Sequence, residues 1–349
     1  MNTNIQTVEK ENKSKIKKEP RKEKTHKNPI VPSGENRPKD KRYYTGKLNS
    51  MRYMILGREV NEGLLFKTFL YIVFIATSYI FLNPIIKMMV NMVKTTSDLM
   101  NPTITWIPSK IYLGQLKTAW EMLDYPQAVM ISLLIALSTS VFHVISCGLA
   151  GYALARLQFP FKKLVFGLLL LSFIIPPQVI ILPTIIAYTN LGLNNSIISL
   201  IIPSVLGFGV KGALFVIIFR QFFATQPKEL EEAAKIDGAT AIKFYFKVML
   251  PLAKPAILVV FLFSFVWTWN DTYFPQMFLS DSQFLPLASE TLQLDKLITS
   301  LVETQQISSL DAGAIKMAAS FLVILPPLLI FLIFQKHFVE SVERTGLVE

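Results

Sequence analysis

The chain reads as an all-α membrane protein with six transmembrane helices and both termini in the cytoplasm. Three observations carry that expectation. Of 349 residues, 52% are hydrophobic and only 17% charged, with a mean hydropathy of +0.43, too apolar for a soluble chain of this length. Six apolar stretches are each long enough to cross a hydrocarbon core of about 30 Å as a helix. They are continuous runs instead of alternating ten-residue segments, and backbone polar groups in lipid must then be satisfied within a helix.

The six spans are expected near residues 66–92, 127–154, 164–187, 196–221, 255–278 and 313–335. Several contain Pro and Gly, as in "IIPPQVIILP" (Ile174 to Pro183) and "IIPSVLGFGVKG" (Ile201 to Gly212). Such residues are tolerated at membrane depth where neighbouring helices repair the hydrogen-bond ladder, so kinked, closely packed helices are expected.

Lys and Arg in the flanking segments set the orientation. Sixteen precede the first span. Arg156, Lys162 and Lys163 follow the second, and Arg220, Lys228, Lys235, Lys243, Lys247 and Lys254 lie in or beside the segment between the fourth and fifth. The 94–124 loop balances three bases with three acids, and the 279–312 loop sets Lys296 against five acids. Those two loops are assigned outward, and residues 222–254 become the largest cytoplasmic loop.

Residues 1–63 form a separate tail with sixteen bases and eight acids, which carries eight of the net +11 charges. With no apolar periodicity it is expected to be disordered, and with no apolar h-region it is not a cleavable signal. Such charge invites attraction to anionic membrane lipid; the plainer reading is a solvated extension, and no stacking aromatics among its bases argue for nucleic acid. Cys147 stands alone, and His26, His143 and His337 have no spacing that builds a metal or nucleophile site. No Gly-x-x-x-x-Gly-Lys-Ser/Thr phosphate loop occurs, so neither catalysis nor ATP binding is expected in this chain.

The cytoplasmic loop carries the most structured polar sequence. Thr225 is placed to cap a helix from about Gln226, with Pro227 in its first turn and Glu229, Glu231 and Glu232 near its positive end. Leu230, Ala233, Ala234 and Asp237 share a small face. Asp237-Gly238 is the expected stop, because Gly accepts the left-handed region. A second helix follows from Thr240, with Ile242, Tyr245, Val248, Met249 and Leu252 on one side, and ends at Leu250-Pro251. In the spans, Lys211 falls near the middle of the fourth, where a lysine costs roughly 2.5–3.5 kcal/mol and is expected to face a cavity or a partner. Trp267, Trp269, Asn270, Asp271 and Tyr273 cluster near the outer end of the fifth, either to stack a sugar or as an interfacial aromatic belt.

"EEAAKIDGATAIKFYFKVMLP" resembles the Glu-Ala-Ala signature of ABC importer permeases. Glu232, Ala233, Ala234, Gly238, Leu250 and Pro251 fall in register with it, and Val248 occupies the position usually held by isoleucine. "GYALARLQFPFKK", "FRQFF", "WTWNDTYFPQMFLSD" and "FQKHFVESVERTGL" extend the likeness across residues 64–349, towards carbohydrate permeases related to the maltose system's second membrane subunit. The resemblance implies a type I importer fold in a bacterial plasma membrane. It also implies a second permease subunit, two ATPase subunits holding ATP and Mg, an extracellular solute-binding protein and a sugar substrate. Under it, Glu232 orients a coupling helix, Ala233 and Ala234 allow close packing, and Gly238 makes the turn. The 279–312 loop matches the segment that meets the binding protein, and the tail from Phe338 one that reaches the ATPases. Two other readings remain beside it: a secondary transporter driven by an ion gradient, and a membrane scaffold or receptor acting through the basic tail.

Overall fold

The computed structural model describes residues 63–209, 211–279 and 283–346, the last ten of these by backbone alone. The basic tail 1–62, Val210, residues 280–282 and the final three residues lie outside the described part, and so do the expectations that fall on them. Every regular element among the described residues is helical. The chain divides into two compact units, 1–76 and 77–349; in the first, the described part is Gly63 and the opening turns of α1.

Helix α1 (Leu64–Asn91) is mostly apolar, with Lys67 and Lys87 near its ends, contains Pro84 and has no buried residue. Two short helices follow, α2 (Thr96–Met100) and α3 (Gly114–Met122). The long α4 (Tyr125–Arg156) starts with a proline in its first turn and ends on Arg156. Its buried residues, among them Ser132, Thr139, His143, Cys147 and Gly151, recur at helical spacing. That stripe packs on α7 (Ile198–Val205), α8 (Gly212–Thr225) and α11 (Lys254–Trp269).

Between α4 and α7 lie α5 (Lys162–Ile174) and α6 (Pro177–Asn190), which meet at 99°. The expected kink is thus a corner. Pro176 takes an extended ψ of 139° at the start of α6, and Ile175, being followed by a proline, is held out of the helical region at ψ 121°. Beyond α8 come α9 (Glu229–Ile236) and α10 (Ala241–Leu252), the latter meeting α11 at 77°. Short α12 (Tyr273–Phe278), α13 (Leu287–Glu303) and long α14 (Ser309–Gly346) complete the order.

By length and composition, helices 64–91, 125–156 and 309–336 are able to cross a membrane, and five crossings result if each bent pair is one span. The fourth expected span is two pieces, α7 and α8, separated at Leu206–Lys211. Gly207, Gly209 and Lys211 all take positive φ there, 69°, 100° and 62°. Side chains of α4 serve the backbone that this break frees. Ser146 Oγ donates to Val205 O at 2.6 Å, and His143 Nε2 lies 2.9 Å from Phe208 O. Because a carbonyl only accepts, Nε2 bears a proton, and in the neutral ring Nδ1 accepts from Ser264 Oγ of α11 at 2.7 Å.

A similar repair occurs in α14. Pro326 and Pro327 have no N–H for the carbonyls four residues earlier, those of Leu322 and Val323. Tyr125 Oη donates to Leu322 O at 3.0 Å, and Trp269 Nε1 donates to Val323 O at 3.1 Å. Both freed carbonyls are thereby paired from other helices, and Tyr125 and Trp269 join one hydrophobic cluster with Leu287, Ile298 and Leu322.

The 94–124 and 279–312 loops are ordered on each other. Thr96 Oγ1 donates to Asp311 Oδ1 at 2.8 Å, and Lys316 of α14 pairs with Asp295 of α13 at 2.6 Å. Within the 94–124 loop, Ser109 gives both its hydroxyl and its N–H to Asp98, at 2.5 and 3.0 Å. The Ser109 hydroxyl is the chief reason that Asp98 titrates below the ordinary aspartate value of 3.8, against desolvation, which pushes it up. A lowered folded-state value means that the ionised carboxylate holds the loop. Its contribution is complete above 3.8 and is lost as pH falls through the folded value. Ser109→Ala is expected to move the titration back towards 3.8 and to open the loop at a higher pH, read by the Asp98 carboxyl chemical shift and by acid-dependent proteolysis.

Candidate functional site: an exposed helical knob and a cavity between broken helices

Two places in the second unit combine chemistry with access. The first is the pair α9 and α10. Gln226 precedes a proline and is extended, ψ 144°, so a helix cannot begin there. Thr225 instead gives its hydroxyl back to Phe222 O at 2.8 Å, and α9 starts at Glu229 with Lys228 in the cap position. The expected Thr225 cap is therefore absent. Glu229, Glu231 and Glu232 do occupy the first turn, and Glu231 pairs with Lys235 at 2.9 Å.

Gly238 takes φ 69°, with Asp237 as the C-terminal cap. Thr240 then caps α10, its Oγ1 accepting from Lys243 N at 3.3 Å. Of the small residues, Ala234 is half-buried against the hydrophobic cluster beneath, whereas Ala233, Glu232, Asp237 and Gly238 are exposed.

Pro251 has no N–H, and residues 245–249 form a wider π turn ahead of it, with Leu250 N bonded to Tyr245 O. This turn shifts the helix face. Phe244, Tyr245 and Met249 are buried, and Val248 and Leu250 pack partly against the same cluster. Ile242 and Leu252, expected on that face, are instead 73% and 43% exposed, and Pro251 is exposed too. Ile236, not singled out in the sequence, is 88% exposed. The signal was available: an isoleucine directly before Asp-Gly at the end of an otherwise polar helix.

The knob stands on a rigid base. Phe223, Tyr245 and Tyr152 of α4 form an aromatic triangle with centroids 5.0 to 6.1 Å apart. Arg156 donates from Nε to Phe223 O at 2.9 Å and from Nη2 to Gln226 O, which fastens the last carbonyls of α8, where the knob begins. Charge-assisted bonds of this kind contribute about 1.5–3 kcal/mol each. Sequence reading used Arg156 only for orientation and missed this role.

The second place is a cavity of about 510 Å³ enclosed by α4 to α8, α11 and α12. Lys211, Trp269 and Asp271 line it; Trp267 and Asn270 do not. Trp267 stacks on Phe263 and Phe215, at 5.3 and 5.7 Å. Asn270 is exposed and returns its amide to Val266 O at 2.8 Å. Trp269 is 1% exposed with its indole N–H committed to Val323. It serves neither as an open stacking platform nor as a belt residue. Asp271 Oδ1 accepts from the N–H groups of Tyr273 and Phe274 at 3.0 and 3.4 Å. Lys211 is the N-cap of α8, exposed, with its ammonium 6.0 Å from the Phe173 ring centroid.

Broken apolar helices around a largely apolar cavity that holds a few polar side chains, with an exposed glycine-jointed helix pair, are the features of a membrane permease. Comparison with known proteins makes this specific. The chain belongs to the family of binding-protein-dependent transport system inner membrane components, which matches residues 147–344. It is 30% identical over 244 residues to the sn-glycerol-3-phosphate transport system permease protein UgpE of Pectobacterium atrosepticum, covering 68% of this chain and 82% of that one. It is 28% identical over 279 residues to the osmoprotective compounds uptake permease protein GgtD of Synechocystis, covering 78% and 89%. In fold it is similar to a chain of a bacterial ABC transporter involved in import of the acidic polysaccharide alginate, at TM-score 0.61 and 19% identity, covering 78% and 96%. The chain is thus an ABC importer permease, a transport subunit and not an enzyme.

Proposed function

We propose that this chain is the membrane-spanning permease subunit of an ATP-driven importer for a sugar or related hydroxylated solute in a bacterial plasma membrane. It crosses six times, the broken pair α7–α8 supplying the sixth crossing, with both termini in the cytoplasm as the Lys and Arg distribution favours. A second permease completes the pathway, two ATPase subunits hold ATP and Mg, and an extracellular binding protein delivers the solute at the 279–312 loop. The cavity beside Lys211, Trp269 and Asp271 is part of the path, with Trp267 and Asn270 supporting its wall from behind. The names of the relatives UgpE and GgtD support a small hydroxylated or osmoprotective solute.

The α9–α10 knob is the coupling element, with Glu232, Ala233, Asp237 and Gly238 towards the ATPase, Ala234, Val248 and Leu250 anchoring it to the spans, and Pro251 setting the wide turn that ends it. One observation carries this reading: Ile236, at 88% exposure, lies two residues from the left-handed Gly238. An aliphatic side chain so exposed on a polar helix is suited to a cleft on another chain, where its burial contributes about 1.5–3 kcal/mol. Ile236→Asp is expected to leave the permease in the membrane and to weaken ATPase subunit retention on purification by roughly 10- to 100-fold. Retention and uptake at the unmodified level would overturn the docking role.

A further inference from the structure

The cavity walls carry an imbalance that a neutral solute does not explain. Four of the hydroxyls lining it are satisfied by backbone carbonyls three or four residues earlier: Ser172 donates to Leu169 O, Thr184 to Ile180 O, Ser199 to Ser196 O and Ser204 to Ile201 O. Thr139 and Thr268 are different. Both line the cavity, and their hydroxyls are buried without a partner; Thr139 is only 3% exposed. A buried hydroxyl left unpaired costs about 1–3 kcal/mol, which a hydrogen-bonding occupant recovers.

The two charged side chains of the wall, one acid and one base, are unequally partnered. Asp271 has two backbone N–H groups on its carboxylate. Lys211 takes part in none of the ion pairs found among the described residues, and its nearest ring is the Phe173 face. It caps the N-terminus of the fourteen-residue α8, so the helix dipole adds roughly half a positive charge at the same place. Neutral sugar hydroxyls are bound as well by Ser, Asn or Gln, without the cost of a lysine at membrane depth.

We infer that the cavity recognises a hydroxylated solute bearing one anionic group, a carboxylate or a phosphate, with Lys211 as its counter-charge and the Thr139 and Thr268 hydroxyls as partners for its uncharged oxygens. This rests on the reading of the cavity as part of the solute path. Lys211 sits at the break between α7 and α8, in a left-handed conformation, so the anion is held where the span is discontinuous and where its backbone is supported by His143 and Ser146.

The test uses the assembled transporter, this chain with its partner permease and ATPase subunits, purified in detergent. Indole fluorescence, to which the cavity residue Trp269 contributes, is followed while galactose, galacturonate or galactose 6-phosphate is titrated at constant ionic strength. At least one acidic probe is expected to bind about tenfold or more tighter than galactose. Lys211→Met removes that preference, and Lys211→Arg keeps it in a complex of the same composition. A larger preference for galacturonate assigns the carboxylate, and a larger one for galactose 6-phosphate assigns the phosphate. Acidic probes binding no tighter than galactose, or a preference that survives Lys211→Met, overturns the inference. If galactose binds equally well and Thr139→Val weakens all three probes alike, the anionic assignment fails while the solute path stands. If none of the probes binds, both fail.

Discussion

A Gly238→Val variant is expected to reach the membrane and assemble, yet to lose at least about tenfold in ATP-driven uptake while ATP hydrolysis continues. The reason is conformational and not steric. A Cβ at Gly238 meets nothing within 4 Å, but the residue holds φ 69°, a region that costs an L residue roughly 1–2 kcal/mol and a β-branched one more. Relief of that strain is expected to swing α9 relative to α10 and to move Ile236 away from the position proposed for docking, while the spans beneath stay packed. Gly238→Asn tolerates the left-handed region and is expected to retain most uptake. Parallel assays of uptake and hydrolysis in proteoliposomes separate the two activities.

The second large effect lies in the spans. Gly151→Val is expected to abolish recovery of folded protein. Its Cβ would stand 2.6 Å from Phe219 Cβ and 2.8 Å from Arg220 N, so the backbones of α4 and α8 must part. Overpacking alone costs about 1–3 kcal/mol, and here the displaced contact supports both the aromatic base of the knob and the Arg156 clamp. Gly167→Ala in α5 is the control, since nothing lies within 4 Å of its Cβ and a helical Gly→Ala change is stabilising by about 0.5–1 kcal/mol. Monodispersity in detergent and thermal inactivation report the difference.

The features legible in the sequence were local ones. Asp237-Gly238 and Thr240 mark a helix end and a helix start through short-range hydrogen bonds, and the structure has both. Errors arose where a proline acts at a distance of several residues. Pro227 holds Gln226 out of the helix and moves the start of α9 to Glu229, and Pro251 widens the turn before it; Ile242, which precedes that turn, lies outside the buried face. The corner at Ile175 and the break at Leu206–Lys211 lie inside apolar runs that composition alone reads as continuous.

Non-local pairings left no trace that a single sequence reveals. Trp269 read as a sugar platform or a belt residue, but its indole serves a carbonyl freed by a proline 58 positions further on, at Pro327. His143 read as isolated, but it ties α11 to the break after α7. Lys211 was suspected because a charge at membrane depth is costly, and the structure puts it on a cavity wall. Asn270 and Trp267 neighbour Trp269 and Asp271 in sequence, but a helix distributes neighbours over different faces, and only Trp269 and Asp271 reach the cavity.

The central claim is that this chain moves solute with energy taken from ATP hydrolysed on another subunit. The most direct measurement is uptake by proteoliposomes that contain the assembled transporter and its binding protein, with ion gradients collapsed by ionophores. ATP on the ATPase side is expected to sustain accumulation, and Ile236→Asp or Gly238→Val to suppress it. Accumulation that requires an ion gradient and proceeds without ATP would contradict the claim.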